Sequence, residues 1–272
     1  MNRIDKTFQK LKQENRKALI AFITAGDPDF ETSFQILKAA CEAGVDILEL
    51  GVPFSDPTSD GPVIEAGSAR ALKSGMSLTK TFELAAQLRR VVDTPIVLFS
   101  YYNLLFKYGL DKLASQMTNV GIDGLLIVDL PPEEAGDLKK ALSETDIHII
   151  RLAAPTTTHA RLEMLVDGAG GFLYLITRTG VTGAGGLDYS AIEKHTAEVK
   201  ALCPLPVCLG FGISTAADAA QLAPMADGLI VGSAFVRIIA GTDDKNQMPM
   251  LIAKKVKELR TGMDGEVTGG RA

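Results

Sequence analysis

The chain has 272 residues, 46% hydrophobic, 6% aromatic and 22% charged, with a formal net charge of −5 at pH 7. This is the composition of a well-packed soluble globule, and its mild acidity offers no footprint for nucleic acid or an anionic membrane surface. Cys41, Cys203 and Cys208 have no CxxC spacing, so buried thiols in a reducing compartment are expected, with small molecules or another protein as partners.

The first stretch, MNRIDKTFQKLKQ, has the spacing of a charged amphipathic helix and lacks the apolar core of a signal peptide. No later apolar run approaches the ~18 residues of a membrane span, so a cytoplasmic protein is expected. Short apolar runs then recur at 19–24, 46–51, 96–101, 124–129, 148–153, 171–177, 206–210 and 228–232. Each is rich in Val, Ile and Leu and nearly continuous, as parallel strands covered on both faces are. Helical patterns separate them: 30–43 closed by Gly44, 78–92 stopped before Pro95, 110–120 closed by Gly121, then 132–143, 158–166, 189–202, 215–223 and 248–259. Pro132 stands where a first helical position tolerates proline, and the glycines stand where helices stop.

The turns into alternate strands look alike: AGVDILEL from Ala43, VGIDGLLIV from Val120, AGGFLYL from Ala169 and MADGLIV from Met225. Such a repeat favours a closed (β/α)8 barrel over an open sheet. The expected architecture is α/β, a single (β/α)8 TIM barrel over residues 1–262. It has an extra N-terminal helix, short extra helices after strands 2 and 8, and a flexible tail over 263–272.

In a barrel of this kind the chemistry belongs at the C-terminal ends of the strands. There LELGVPFSDPTSDGPVIEAG, from Leu48, places Glu49 within a strand expected to be buried on both faces and Asp60 in the loop beyond it. A buried carboxylate without a partner is costly, so it points to a reaction. Three successive glycine-rich loops follow strands 6, 7 and 8: RTGVTGAGG from Arg178, GFGIS from Gly210 and GSAFVRI from Gly232. Their backbone N–H groups, at Gly183, Gly210, Phe211, Gly212, Gly232 and Ser233, predict a phosphate site, with Ser233 opening a short helix whose positive end suits an anion.

His148, His159 and His195 lie off the reactive face without metal-ligand spacing, and no Lys falls at a strand end. Neither a metal site nor a Schiff-base lysine is expected, and no cofactor. What remains is the carboxylate pair beside Phe22, Phe99, Tyr101, Leu126, Val128, Tyr174 and Phe211. Arg151 falls inside a strand expected to be buried, and nothing beyond a possible ion pair accounts for it.

LELGVPFSDPTSDGPVIE, DLPPEEA from Asp129, RTGVTG, GFGIS and VGSAFV, in this order and over nearly the whole chain from FITAGDPD at Phe22, resemble the tryptophan synthase alpha chain family. The resemblance implies retro-aldol cleavage of indole-3-glycerol phosphate to indole and D-glyceraldehyde 3-phosphate. It also implies a pyridoxal-phosphate beta chain that receives the indole within an α2β2 heterotetramer. It makes Glu49 the general acid at indole C3 and Asp60 the acceptor of the indole N–H, with the apolar residues forming the indole slot. By the same resemblance Arg178 and Thr182 belong to a loop that closes over substrate, Thr182 meeting Asp60, and Asp56 in PFSDP faces the beta chain.

The inventory agrees with that reaction, because protonated indole is its own electron sink and needs neither metal nor lysine. Three other readings stand beside it. One is a free-standing indole-releasing lyase, another a phosphosugar isomerase or indole-glycerol-phosphate-forming barrel, and the third a catalytically silent regulatory subunit. The strand-end lysine that the second would use is missing, and an intact buried acid argues against the third.

Overall fold

The computed structural model describes residues 1–177, 188–210 and 212–265. Eight strands, β1 (Ala18–Thr24), β2 (Ile47–Gly51), β3 (Ile96–Ser100), β4 (Gly124–Ile127), β5 (His148–Ala153), β6 (Leu173–Ile176), β7 (Val207–Gly210) and β8 (Gly228–Val231), close into a barrel in sequential order. Every neighbouring pair is parallel, including β8 with β1. All seven residues of β1 are buried, as are all five of β2, because one face packs into the barrel and the other against the helices. That double burial is why the strands read as continuous rather than alternating apolar runs.

Inside the barrel, Ile20, Ile47, Val97, Leu126, Ile150, Phe172, Cys208 and Ile230 interdigitate as a filled core. Its N-terminal mouth is stoppered by helix α1 (Arg3–Gln13), which buries Ile4 and Leu11 in that core and sets Phe8 against Phe172 at 6.0 Å between ring centroids. Asn2 fastens the stopper: its side chain caps α1 by accepting from Ile4 N–H (2.8 Å) and donates to the Asp123 carbonyl (2.7 Å). A second, larger core fills the shell between strands and helices.

The outer helices are α2 (Phe30–Glu42), α3 (Pro62–Lys73), α4 (Leu78–Arg89), α5 (Tyr102–Tyr108), α6 (Leu110–Val120), α7 (Gly136–Leu142), α8 (His159–Val166), α9 (Tyr189–Leu202), α10 (Ala216–Leu222), α11 (Ser233–Ala240) and α12 (Met248–Met263). The expected extra helices after strands 2 and 8 are α3 and α11. Three elements differ from expectation. Residues 132–143 are not one helix: a 3-10 turn over Pro132–Glu134 gives way at Ala135 (φ −84°, ψ 7°) before α7 begins. Helix α5 is additional, and Gly109, at φ +92°, separates it from α6 where a side chain would be strained. Helix α12 runs four residues past 259, because Arg260 is buried and donates to the Lys17 carbonyl at 2.8 and 2.9 Å, holding the last turn against the barrel. Most of the predicted tail, 266–272, lies outside the described residues.

Candidate active site

Glu49 is the third residue of β2, level with Phe22 on β1 and Val97 on β3. It is fully buried, and neither carboxylate oxygen has a hydrogen-bond partner among the described residues. Burial alone pushes its pKa from 4.5 to about 8. Two strands' ends are glycine for a steric reason. Phe22 packs edge-to-face on Phe99, 4.9 Å between centroids at 75°. A Cβ on Gly51 would sit 2.6 Å from Phe22 Cζ, and one on Gly210 would sit 2.2 Å from the Tyr174 hydroxyl. These glycines leave the room that the Phe22 and Tyr174 rings occupy.

The second acid arrives from the loop between β2 and α3. Asp60 is raised to about 6, chiefly by burial, opposed by a hydrogen bond with Tyr101 and helped by the nearby charge of Glu65. The Tyr101 hydroxyl also accepts from Ser59 N–H at 3.0 Å, so it holds the loop at the residue before Asp60. Tyr101 itself is raised to about 12 by burial and by Asp60. Tyr174 is raised well above its ordinary range, first by burial, then by Glu49 and Asp60 in turn. One phenol thus feels both acids, and all three line one cavity.

The loop's far anchor is α3. Arg70 donates Nε and Nη2 to Asp27, in the turn after β1, at 2.8 and 2.7 Å. Asp27 is completely buried, and burial outweighs Arg70 in setting its pKa, which is raised.

Glu49 and Asp60 open onto one cavity of about 720 Å³. Of the residues singled out in sequence, Phe22, Phe99, Val128, Tyr174, Gly212, Gly232 and Ser233 line it with the two acids. Leu126 packs in the barrel's inner core instead of on the wall. Tyr101 acts from behind Asp60, and Gly210 from beneath Tyr174. Asp56 is exposed and accepts from the Ser55 hydroxyl at 2.5 Å. Arg178, Thr182, Gly183 and Phe211 lie outside the described residues. Gly212 has φ +80°, a backbone only glycine adopts readily, and α11 presents its first N–H groups from Ser233 onward.

Sequence reasoning missed Leu152, Ile176, Ile230 and Arg237, which also line the cavity. The first three are strand residues facing inward near the C-terminal ends, and alternation counted from Tyr174 or Phe22 would have found them. Arg237 lies one helical turn after Ser233, the spacing that brings it to the same face of α11. Among the described residues no group of His, Cys, Asp and Glu is arranged to hold a metal.

Fold and site together define a (β/α)8 barrel with a cavity at the C-terminal ends of its strands, where enzymes of this fold place their reactive groups. The tryptophan synthase alpha chain family model matches residues 8–264. The alpha chain of Desulfosudis oleivorans is 48% identical over 260 residues, covering 96% of this chain and 98% of that protein. The alpha subunit structure from Legionella pneumophila superposes with a TM-score of 0.91 at 37% identity, covering 97% of this chain and 99% of the other. The aminoacrylate-bound tryptophan synthase from Mycobacterium tuberculosis gives 0.86 at 32%, covering 97% and 100%. The chain belongs to the tryptophan synthase alpha chain family. It is a lyase that cleaves indole-3-glycerol phosphate, and the family implies a beta-chain partner.

Proposed function

We propose that Glu49 and Asp60 divide the retro-aldol reaction between them. The observation that carries this is their unequal poise: one acid is buried without a partner and raised to about 8, the other is held by a tyrosine and raised only to about 6. At neutral pH the first is mostly protonated and the second mostly ionised. Glu49 gives its proton to C3 of the indole, making an iminium-like ring. As the carboxylate it then takes the proton of the side-chain hydroxyl, while the C–C bond electrons return to the ring and the aldehyde leaves as D-glyceraldehyde 3-phosphate. Asp60 accepts the indole N–H and stabilises its developing positive charge.

Phe22 and Phe99 offer ring contacts to the indole, and Gly212, Gly232, Ser233 and the α11 N-terminus receive the phosphate. The indole passes to a pyridoxal-phosphate beta chain, which docks over the face carrying Asp56 in an α2β2 assembly in the cytoplasm. Indole release from indole-3-glycerol phosphate, measured with and without a beta chain, tests this reading. Release that the partner accelerates and Glu49→Gln abolishes supports it. Undiminished release by Glu49→Gln would remove Glu49 from the mechanism.

A further inference from the structure

The cavity does not end at the reacting acids. It extends outward between β5 and the segments after β4 and β5, where Leu130, Pro132, Thr157, Leu165 and two arginines form its wall. Arg151 sits on β5 at a position facing away from the barrel axis, level with Leu173 on β6. Its residue exposure is 4%, and its Nη1 donates to the Leu130 carbonyl at 3.2 Å. Nε and Nη2 have no acceptor among the described residues and touch no solvent. A buried guanidinium with two unmet donors is a costly arrangement in a packed protein.

The described residues around it leave its charge uncompensated. Among them, Arg161, on α8, and Glu133, in the 3-10 turn, are the two groups that act electrostatically on Arg151. They are paired to each other, so one positive charge remains over. Asp129, the other acid on this wall, accepts from Tyr102 N–H at 2.7 Å. Burial, then Arg161, pulls the Arg151 pKa below its ordinary value.

The two unmet donors are Nε and Nη2, the side of the guanidinium that matches both oxygens of one carboxylate. We propose that Arg151 is the base of a carboxylate-binding subsite, taking a small organic acid whose apolar body lies against Leu130 and Leu165. Nε and Nη2 have no open surface in this structure, so the ligand reaches them by displacing the Arg161–Glu133 pair at the rim, an exposed pair held weakly enough to yield. The subsite is separate from the proton transfer at Glu49 and stands whether or not that step is assigned correctly.

Benzoate and its neutral isostere benzamide, titrated into the purified full chain by ligand-detected NMR, test it. Benzoate is expected to bind at least about tenfold tighter than benzamide, as the loss of a charge-assisted bidentate pair predicts. Arg151→Gln should cancel that preference. Arg151→Lys, which keeps the charge without the fork, should cancel most of it. Glu49→Gln should bind benzoate as the unaltered chain does. If the arginine variants fail to fold, the benzoate-to-benzamide ratio on the unaltered chain still decides. Equal binding of the two, unchanged benzoate binding by Arg151→Gln, or no binding at about 10 mM, beyond even a marginal ~1 mM site, overturns the proposal. Indole release is read separately, so failure here does not touch the lyase assignment.

Discussion

At the N-terminal mouth of the barrel, acids are built into the frame. Asp46 accepts from Leu19 N–H (2.8 Å) and Arg260 (3.1 Å), and Asp123 from Ile96 N–H (2.8 Å), Arg3 and Arg89 (both 2.9 Å). Asp227 accepts from Val207 N–H (2.9 Å) and Lys200 (2.7 Å). Each stands just before an even-numbered strand, caps the neighbouring odd-numbered strand through a backbone N–H, and holds a cation from a helix. At the C-terminal mouth Glu49 accepts nothing among the described residues, and its pKa rises to about 8. The same functional group is structural at one end and, as we propose, reactive at the other. Partners make the difference more than position does, since Asp27, also on the upper side, is held by Arg70.

The sharpest way to break the comparison is Glu49→Gln. It should cost about 10³-fold in indole release, within the range of a lost general acid. Stability should move the other way. Glu49 is raised from 4.5 to about 8 in the folded chain, so folding holds a proton that the unfolded chain gives up. Its contribution is complete below about pH 4.5 and is lost as pH rises through about 8. The glutamine variant lacks that loss and should be more stable at about pH 8.5 by roughly 4 kcal/mol, and equally stable at about pH 4, by urea unfolding.

Asp123→Ala is the complementary change. It strips two arginines and a buried N–H of their acceptor at once, and should cost about 3 kcal/mol of stability. Indole release per folded molecule should stay within about twofold, since the site lies at the other end of the barrel. A loss of turnover comparable to that of Glu49→Gln would erase the distinction between the two mouths. Asp60→Asn comes next, with about a 10²-fold loss in release. If it instead behaved like Asp123→Ala, losing stability and keeping turnover, Asp60 would belong with the structural acids.

The barrel was legible because strands buried on both faces leave a continuous apolar signature, and the four similar entry turns gave its repeat. Three of those turns carry Asp46, Asp123 and Asp227, yet the repeat alone did not reveal what the aspartates do. The donors they accept from lie on helices and strands 20 to 214 residues away. Glu49 was legible for the converse reason: a carboxylate inside an apolar run has nothing local to pair with. The split of residues 132–143 was hidden because Ala135 carries no breaking signal. Leu126 was misplaced on the cavity wall because sequence alternation gives a residue's face but not its depth along the barrel. The void beside Arg151 depends on where α8 packs, which no local pattern encodes.

The smallest effect separates two roles within one structural acid. Lys200 and Asp227 form a close pair, but their side chains are 34% and 32% exposed, so solvent and salt weaken the attraction. Lys200→Met should therefore cost less than about 1 kcal/mol, and less still at high salt. Asp227→Ala also leaves the N–H of Val207, a fully buried residue, without its carboxylate acceptor, and should cost about 2 kcal/mol at any salt concentration. If the two variants proved equal, the ion pair would be the stabilising element. If the aspartate variant is the worse of the two and insensitive to salt, the acid before β2, β4 and β8 acts first as a cap for its neighbour's backbone and only second as a counter-ion. The N-terminal mouth would then be held by hydrogen bonds that salt does not reach, leaving the C-terminal mouth, where Glu49 titrates without a partner among the described residues, as the end of the barrel that answers to pH.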